Sequence, residues 1–203
     1  MGLDSSSRIQ IVLADDWELR GDGSGDMRAI QFATMRRLRS IYEDHGLRGT
    51  FNVEVMQQLA HLRLGTTHPD LQALAEEWAE IVQETYARGH DIQLHVHPQW
   101  SDAAYERKTW HLRGRWSLLD YPAAEARKML ADAKAYLEDL MRPLNADYRC
   151  VSFRSGSWCI APGGHVLRAL AELGIVFDMS IVDGLFYDTQ HVRLDYRRLE
   201  ESF

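Results

Sequence analysis

Apolar segments of two different periods take turns along this chain, and that alternation restricts its fold more than any single residue does. The stretches RIQIVLA (8–14), GTFNV (49–53), DIQLHVH (91–97), RCVSFR (149–154) and GIVFDMS (174–180) are short and rich in β-branched or aromatic residues, which predicts strands. Between them, Met27 to Asp44, Val55 to Leu62, Pro69 to Ala87, Pro122 to Met141 and Gly164 to Leu173 carry apolar residues three or four apart, which predicts helices. Gly46, Gly89 and Gly174 follow three of these, as helix C-caps. Connections this long join parallel strands, with the helices packed outside. The expected fold class is therefore α/β, either an α/β barrel or a doubly wound sheet.

No internal repeat, low-complexity tract or linker divides the 203 residues, so one domain spanning 1–203 is expected. A net charge of −7 argues against a broad electrostatic grip on nucleic acid or anionic lipid and favours sugars or other small molecules as partners. The start, MGLDSSSRIQIVLADD, has no basic segment followed by an apolar run, and no stretch approaches the ~20 apolar residues of a membrane span. A cytoplasmic location is the expectation. Met1-Gly2 with Ser6 fits a myristoylation pattern only loosely and is read as a plain polar start. Cys150 and Cys159 match neither a zinc knuckle nor a redox dithiol, and are read as reduced core thiols.

Chemistry collects at the strand ends. In DIQLHVH the side chains alternate, Ile92, Leu94 and Val96 on one face and Gln93, His95 and His97 on the other. Pro98 ends the strand, leaving two imidazoles side by side at its C-terminal end, where α/β folds build active sites and where both can reach one ion. Two polar residues facing solvent would give the same pattern. The first strand runs into Asp15 and Asp16, whose mutual repulsion a divalent cation would offset, with one carboxylate as ligand and the other handling protons. A solvated turn is the alternative there. FRSGSWC ends a strand in Arg154 and bends at Gly156 to present Trp158, and FDMS places Asp178 at a fourth strand end.

With these pieces in order, residues 8–182 resemble the polysaccharide deacetylases of the NodB-homology type, carbohydrate esterase family 4. LADD is similar to the family's Thr-Phe-Asp-Asp, GTFNV to Ala-Thr-Phe-Phe-Val, and GHDIQLHVHP to its His-bearing third strand. FRSGSW resembles the Arg-x-Pro-Tyr strand, and FDMS the fourth motif. The compact His-x-His-Pro with a nearby Trp resembles a divergent branch associated with surface-polysaccharide biosynthesis.

The resemblance implies a distorted, incomplete (β/α) barrel with parallel strands and outer helices. It makes Asp15 the catalytic base, Asp16, His95 and His97 the metal ligands, and Arg154 the residue orienting Asp15. Asp178 would tune a catalytic histidine. The metal would be Zn²⁺, with Co²⁺ or Ni²⁺ as alternatives, and the reaction hydrolysis of an acetyl group from an N-acetylated sugar of a surface polysaccharide or its precursor. Trp17, Trp100 and Trp158 would stack on sugar rings, with Trp110 and Trp116 as further candidates. The pattern departs from the family at Trp17, where a glycine is usual, and in the one-residue spacing of the histidines. The late Leu-His motif that supplies the general acid has no clear counterpart before Phe203. Either a C-terminal strand is lacking or another group serves, His191 and His165 being candidates. The competing readings are another metal-dependent hydrolase, of amidohydrolase or phosphoesterase type, and a catalytically silent glycan-binding barrel.

Overall fold

The computed structural model describes residues 10–161 and 163–197. Five strands, β1 (Ala14–Trp17), β2 (Thr50–Glu54), β3 (Asp91–Val96), β6 (Ser152–Ser155) and β7 (Phe177–Asp178), form one parallel sheet in the order β1-β2-β3-β6-β7. Each strand lies beside its predecessor, so the order never reverses as it does in a doubly wound sheet. A hydrogen bond from Arg154 on β6 to Asp16 on β1 passes over the two intervening strands, which requires the sheet to curl. The result is an incomplete (β/α) barrel, open between β1 and β7.

Outer helices close the layer behind the sheet: α1 (Ala33–Asp44), entered through a π-helical turn at Arg28–Phe32, then α2 (Val55–Gly65), α3 (Pro69–Ala87), α4 (Ala123–Met141) and α5 (Gly164–Glu172). Gly46, Gly89 and Gly174 take φ of 68°, 91° and 76° just past α1, α3 and α5, the left-handed turn that closes a helix without a Cβ penalty. Phe51, Val53, Ile92, Leu94 and Phe153 on the outward sheet face join the helices in a continuous core. No helix of the described residues is long and apolar enough to cross a membrane.

Two boundaries differ from the sequence expectation in ways that matter. The apolar run 8–14 was expected as the first strand, but pairing begins at Ala14 against Thr50, so β1 contains Asp15 and Asp16 instead of stopping before them. Ile11 and Val12 are left 80% and 70% exposed, while Arg8 and Ile9, like the Met1-Gly2 start, lie outside the described residues. The segment Gln99 to Tyr121 holds a hairpin, β4 (Ala103–Glu106) and β5 (Thr109–Leu112), and a second hairpin, β8 (Phe186–Asp188) and β9 (Arg193–Asp195), follows β7. Cys150 and Cys159 are buried free thiols.

Within α2, His61 is buried, and its Nδ1 donates to the Gln57 carbonyl at 2.8 Å. Burial pushes this imidazole down from 6.5 to about 4. Its folded value lies below its unfolded one, so its contribution to stability is complete above pH 6.5 and lost as pH falls towards 4. His61→Phe is expected to remove about 2–3 kcal/mol of the stability difference between pH 7 and pH 4, read from urea titrations at both.

Candidate metal centre

Strand alternation decides which side chains enter the barrel. Register aligns Asp16 with Asn52 and Gln93, and Glu54 with His95 and Arg154, all on the inner face. Asp15 and Trp17 take the opposite face. Asp15, expected as the base, accepts a hydrogen bond from the Tyr42 hydroxyl of α1 at 2.6 Å and does not line the inner cavity. Trp17, expected to bind sugar, is 4% exposed, stacks on Trp78 of α3 at 5.4 Å and donates from Nε1 to the Gln31 carbonyl. It is a core residue, because the strand carries it away from the cavity.

On the inner face, a cavity of about 190 Å³ is lined by Asp16, Glu18, His95, His97, Trp116 and Trp158, among others. His95 and His97 come together as expected, with ring centroids 4.8 Å apart. The carboxylate that completes a triad with them is Glu18, however. One ligand atom from each of Glu18, His95 and His97 lies within 4.8 Å of the other two. Glu18 Oε2 is 3.3 Å from His95 Nε2 and also touches His97 Nε2. Asp16 lines the same cavity, but its Oδ1 accepts from Arg154 Nη1 at 2.9 Å and Asn52 Nδ2 at 3.2 Å. Arg154 thus orients Asp16, not Asp15, and its own Nε donates to the Met179 carbonyl.

The donor set fits a divalent cation. His95 Nδ1 lies 2.7 Å from the Arg154 carbonyl, which can only accept, so Nδ1 carries a proton and Nε2 is the atom free to ligate. Both Nε2 atoms are buried and converge on one oxygen of the Glu18 carboxylate. Gln99 Nε2 lies 2.9 Å from His97 Nδ1, and Gln99 Oε1 has no hydrogen-bond partner among the described residues. The same Gln99 Nε2 donates to the Gly21 carbonyl at 3.2 Å, which fixes the amide with its N–H groups toward Gly21 and His97. Two imidazoles and a carboxylate are a common zinc donor set. Burial opposes ionisation of Glu18, yet the charges and hydrogen bonds of His97 and His95 hold its carboxyl well below the usual range. Burial likewise opposes a charge on His95, but Glu18 raises that imidazole above its ordinary value. A cation bound by these three groups would take the place of the imidazole protons.

Supporting groups fix the histidines. Glu54, at the end of β2, is fully buried; it caps α2 through the Gln57 N–H at 3.0 Å and accepts the His97 backbone N–H at 2.7 Å. Burial pushes its carboxyl up to about 8. Gly156 lets β6 pass against His97, since a Cβ there would lie 2.8 Å from the ring's Cγ and Nδ1 and from the Val96 carbonyl. Gly156→Ala is expected to displace that ring and weaken Zn²⁺ binding about tenfold or more, measured by competition with a chromophoric chelator.

After Gly156, Ser157 and Trp158 take φ of 57° and 54°, a left-handed turn unusual for residues with side chains. Tyr196, fully buried, secures it: its hydroxyl donates to the Trp158 carbonyl at 2.6 Å and accepts the Ile160 N–H at 3.0 Å. Trp158 thereby reaches the cavity, as expected from its position after the bend. Trp100, also expected to contact sugar, does not. It is 3% exposed and packs edge-on against Trp110, because Pro98 turns the chain back into the core. Asp178 accepts from the Ser180 hydroxyl at 2.5 Å, with burial raising its carboxyl, so its hydrogen bond goes to its own turn and not to a histidine. His191 stacks on Trp116 at 4.7 Å, lining an adjoining cavity of about 360 Å³, whereas His165 lines a separate surface cavity beside α4 and α5.

Glu18 and Glu54 were not singled out from the sequence. For Glu18 a signal existed: once Asp16 lies within a strand, alternation places Glu18 on its side. No family model matches the chain, and no curated protein matches it. Among solved structures, the chain is similar to a mutant of a CE4 family pseudoenzyme with restored enzymatic activity. That similarity has 13% identity and a TM-score of 0.46, covering 83% of this chain and 43% of the other, so this chain spans less than half of that protein's length.

Proposed function

We propose that the chain is a metal-dependent hydrolase that removes the acetyl group from an N-acetylated sugar of a surface polysaccharide or its precursor. The observation that carries this reading is the convergence of Glu18, His95 and His97 beside a carboxylate, Asp16, that is held by Arg154. Glu18, His95 and His97 would hold the ion, Zn²⁺ in the first instance. Bound there, the ion would supply Lewis acidity towards the acetyl carbonyl and lower the pKa of the attacking water. The substrate class comes from the motif resemblance, with Asp16 taking the base position assigned by that resemblance to Asp15, and Glu18 the ligand position assigned to Asp16.

In this scheme Arg154 and Asn52 fix Asp16 Oδ1, while Oδ2, which makes no hydrogen bond among the described residues, takes the proton of water as it adds to the acetyl carbon. The same proton is then delivered to the amine as the C–N bond breaks, giving acetate and the free amino sugar. Trp116 and Trp158 wall the cavity and would exclude bulk water from the reacting amide.

Acetate release from N-acetylglucosamine and its oligomers tests the scheme. Activity should vanish on chelation, return with Zn²⁺, and be absent in His95→Ala. Equal turnover by chelated and Zn²⁺-reloaded protein would rule the reading out.

A further inference from the structure

A second cavity, of about 510 Å³, shares no lining residue with the one at the triad. The loop after β1, α2, α3 and the β4–β5 hairpin build its walls. His61 contributes to them from α2, 1% exposed. Because its Nδ1–H is given to the Gln57 carbonyl, its Nε2 carries a bare lone pair, and that buried atom has no hydrogen-bond partner among the described residues. Burial keeps the ring neutral at pH 7, so Nε2 can only accept there. A buried acceptor left unmatched costs free energy, and a cavity alongside it is where a matching donor would come from.

The remaining lining narrows the ligand. Asp22 and Asp26 line the cavity together with Lys108 and with Arg28, whose guanidinium is paired with Glu77 at 2.6 Å, and Trp110, Leu71 and Leu74 supply apolar surface. A phosphate or carboxylate would meet the two aspartates, and a diamine would meet the two cations. Hydroxyl groups complement both, because each gives and receives a hydrogen bond, and the C–H faces of a sugar ring suit the aromatic and leucine surface. The volume lies within the range of small-molecule sites.

We propose that this cavity is a saccharide-binding site, in which His61 Nε2 accepts a hydrogen bond from a ring hydroxyl. The site does not rest on the metal reading.

The test follows the imidazole nitrogen resonances of His61 in full-length Glu18→Ala protein. The probes are the β-1,4 disaccharides of glucose and of N-acetylglucosamine, with inorganic phosphate and putrescine as charged controls. Either disaccharide should move the His61 Nε2 resonance saturably, and the controls should not. His61→Phe should weaken binding of that disaccharide about tenfold, and His61→Gln, which restores an acceptor, should hold it within about threefold of the parent. A resonance unmoved by both sugars, one moved by phosphate or putrescine instead, or a His61→Phe protein of undiminished affinity would overturn the proposal. Should His61→Phe fail to fold, the resonance measurement alone decides. Acetate release is read separately on wild-type protein, so failure of the hydrolase reading leaves this result standing.

Discussion

Glu18→Ala protein is expected to bind Zn²⁺ on the order of a hundredfold more weakly than wild type, at least the loss that removing a supporting outer-shell group would cause. The physical reason is charge as much as ligand count. Without Glu18 two buried imidazoles remain, and no other carboxylate among the described residues touches their Nε2 atoms, so the cation would enter the pocket without its anionic partner. Glu18→Asp, with a shorter reach, should fall between the two. Calorimetric titration of Zn²⁺ into metal-stripped protein measures the series. Wild-type affinity in Glu18→Ala together with loss in Asp16→Ala would return the ligand role to Asp16, as the motif resemblance has it.

Asp16→Asn, by contrast, should keep Zn²⁺ affinity within about threefold while lowering kcat for acetate release by about 10²–10⁴. An amide at this position can still accept from Arg154 and Asn52, so the geometry survives and the proton acceptor does not. Asp15→Asn should leave kcat nearly unchanged, because Asp15 faces Tyr42 on the helical side of the sheet. The paired substitutions separate the two neighbours cleanly. A kcat that collapses in Asp15→Asn and persists in Asp16→Asn would reverse the assignment made from geometry.

The fold was largely legible because its signals are local. Helices at 55, 69, 123 and 164 start within one residue of where period and capping place them, and the parallel arrangement follows from the length of the connections. The pair His95 and His97 was legible for the same reason, since alternation along β3 requires no knowledge of the rest of the chain. What local pattern could not supply was where β1 begins. The apolar run before Ala14 is as strand-like as β1 itself, and only the position of β2, whose Thr50 N–H reaches the Leu13 carbonyl, selects the paired residues. Because pairing takes in Asp15 to Trp17, alternation applies to them: Asp15 and Trp17 face outward, and Glu18 meets the histidines. Trp100 shows the same limit, because its burial depends on Trp110 from a hairpin that carries no helical or long-strand periodicity.

The Tyr196 hydroxyl acts as a clasp from the far end of the described chain onto the bend that carries Trp158. Breathing of the last hairpin and relaxation of that bend are thereby one event, and the Ile160 amide should exchange with solvent only when the clasp lets go. A chain shortened before Tyr196 would still own every ionisable group of the triad's cavity and yet present it with a slack wall.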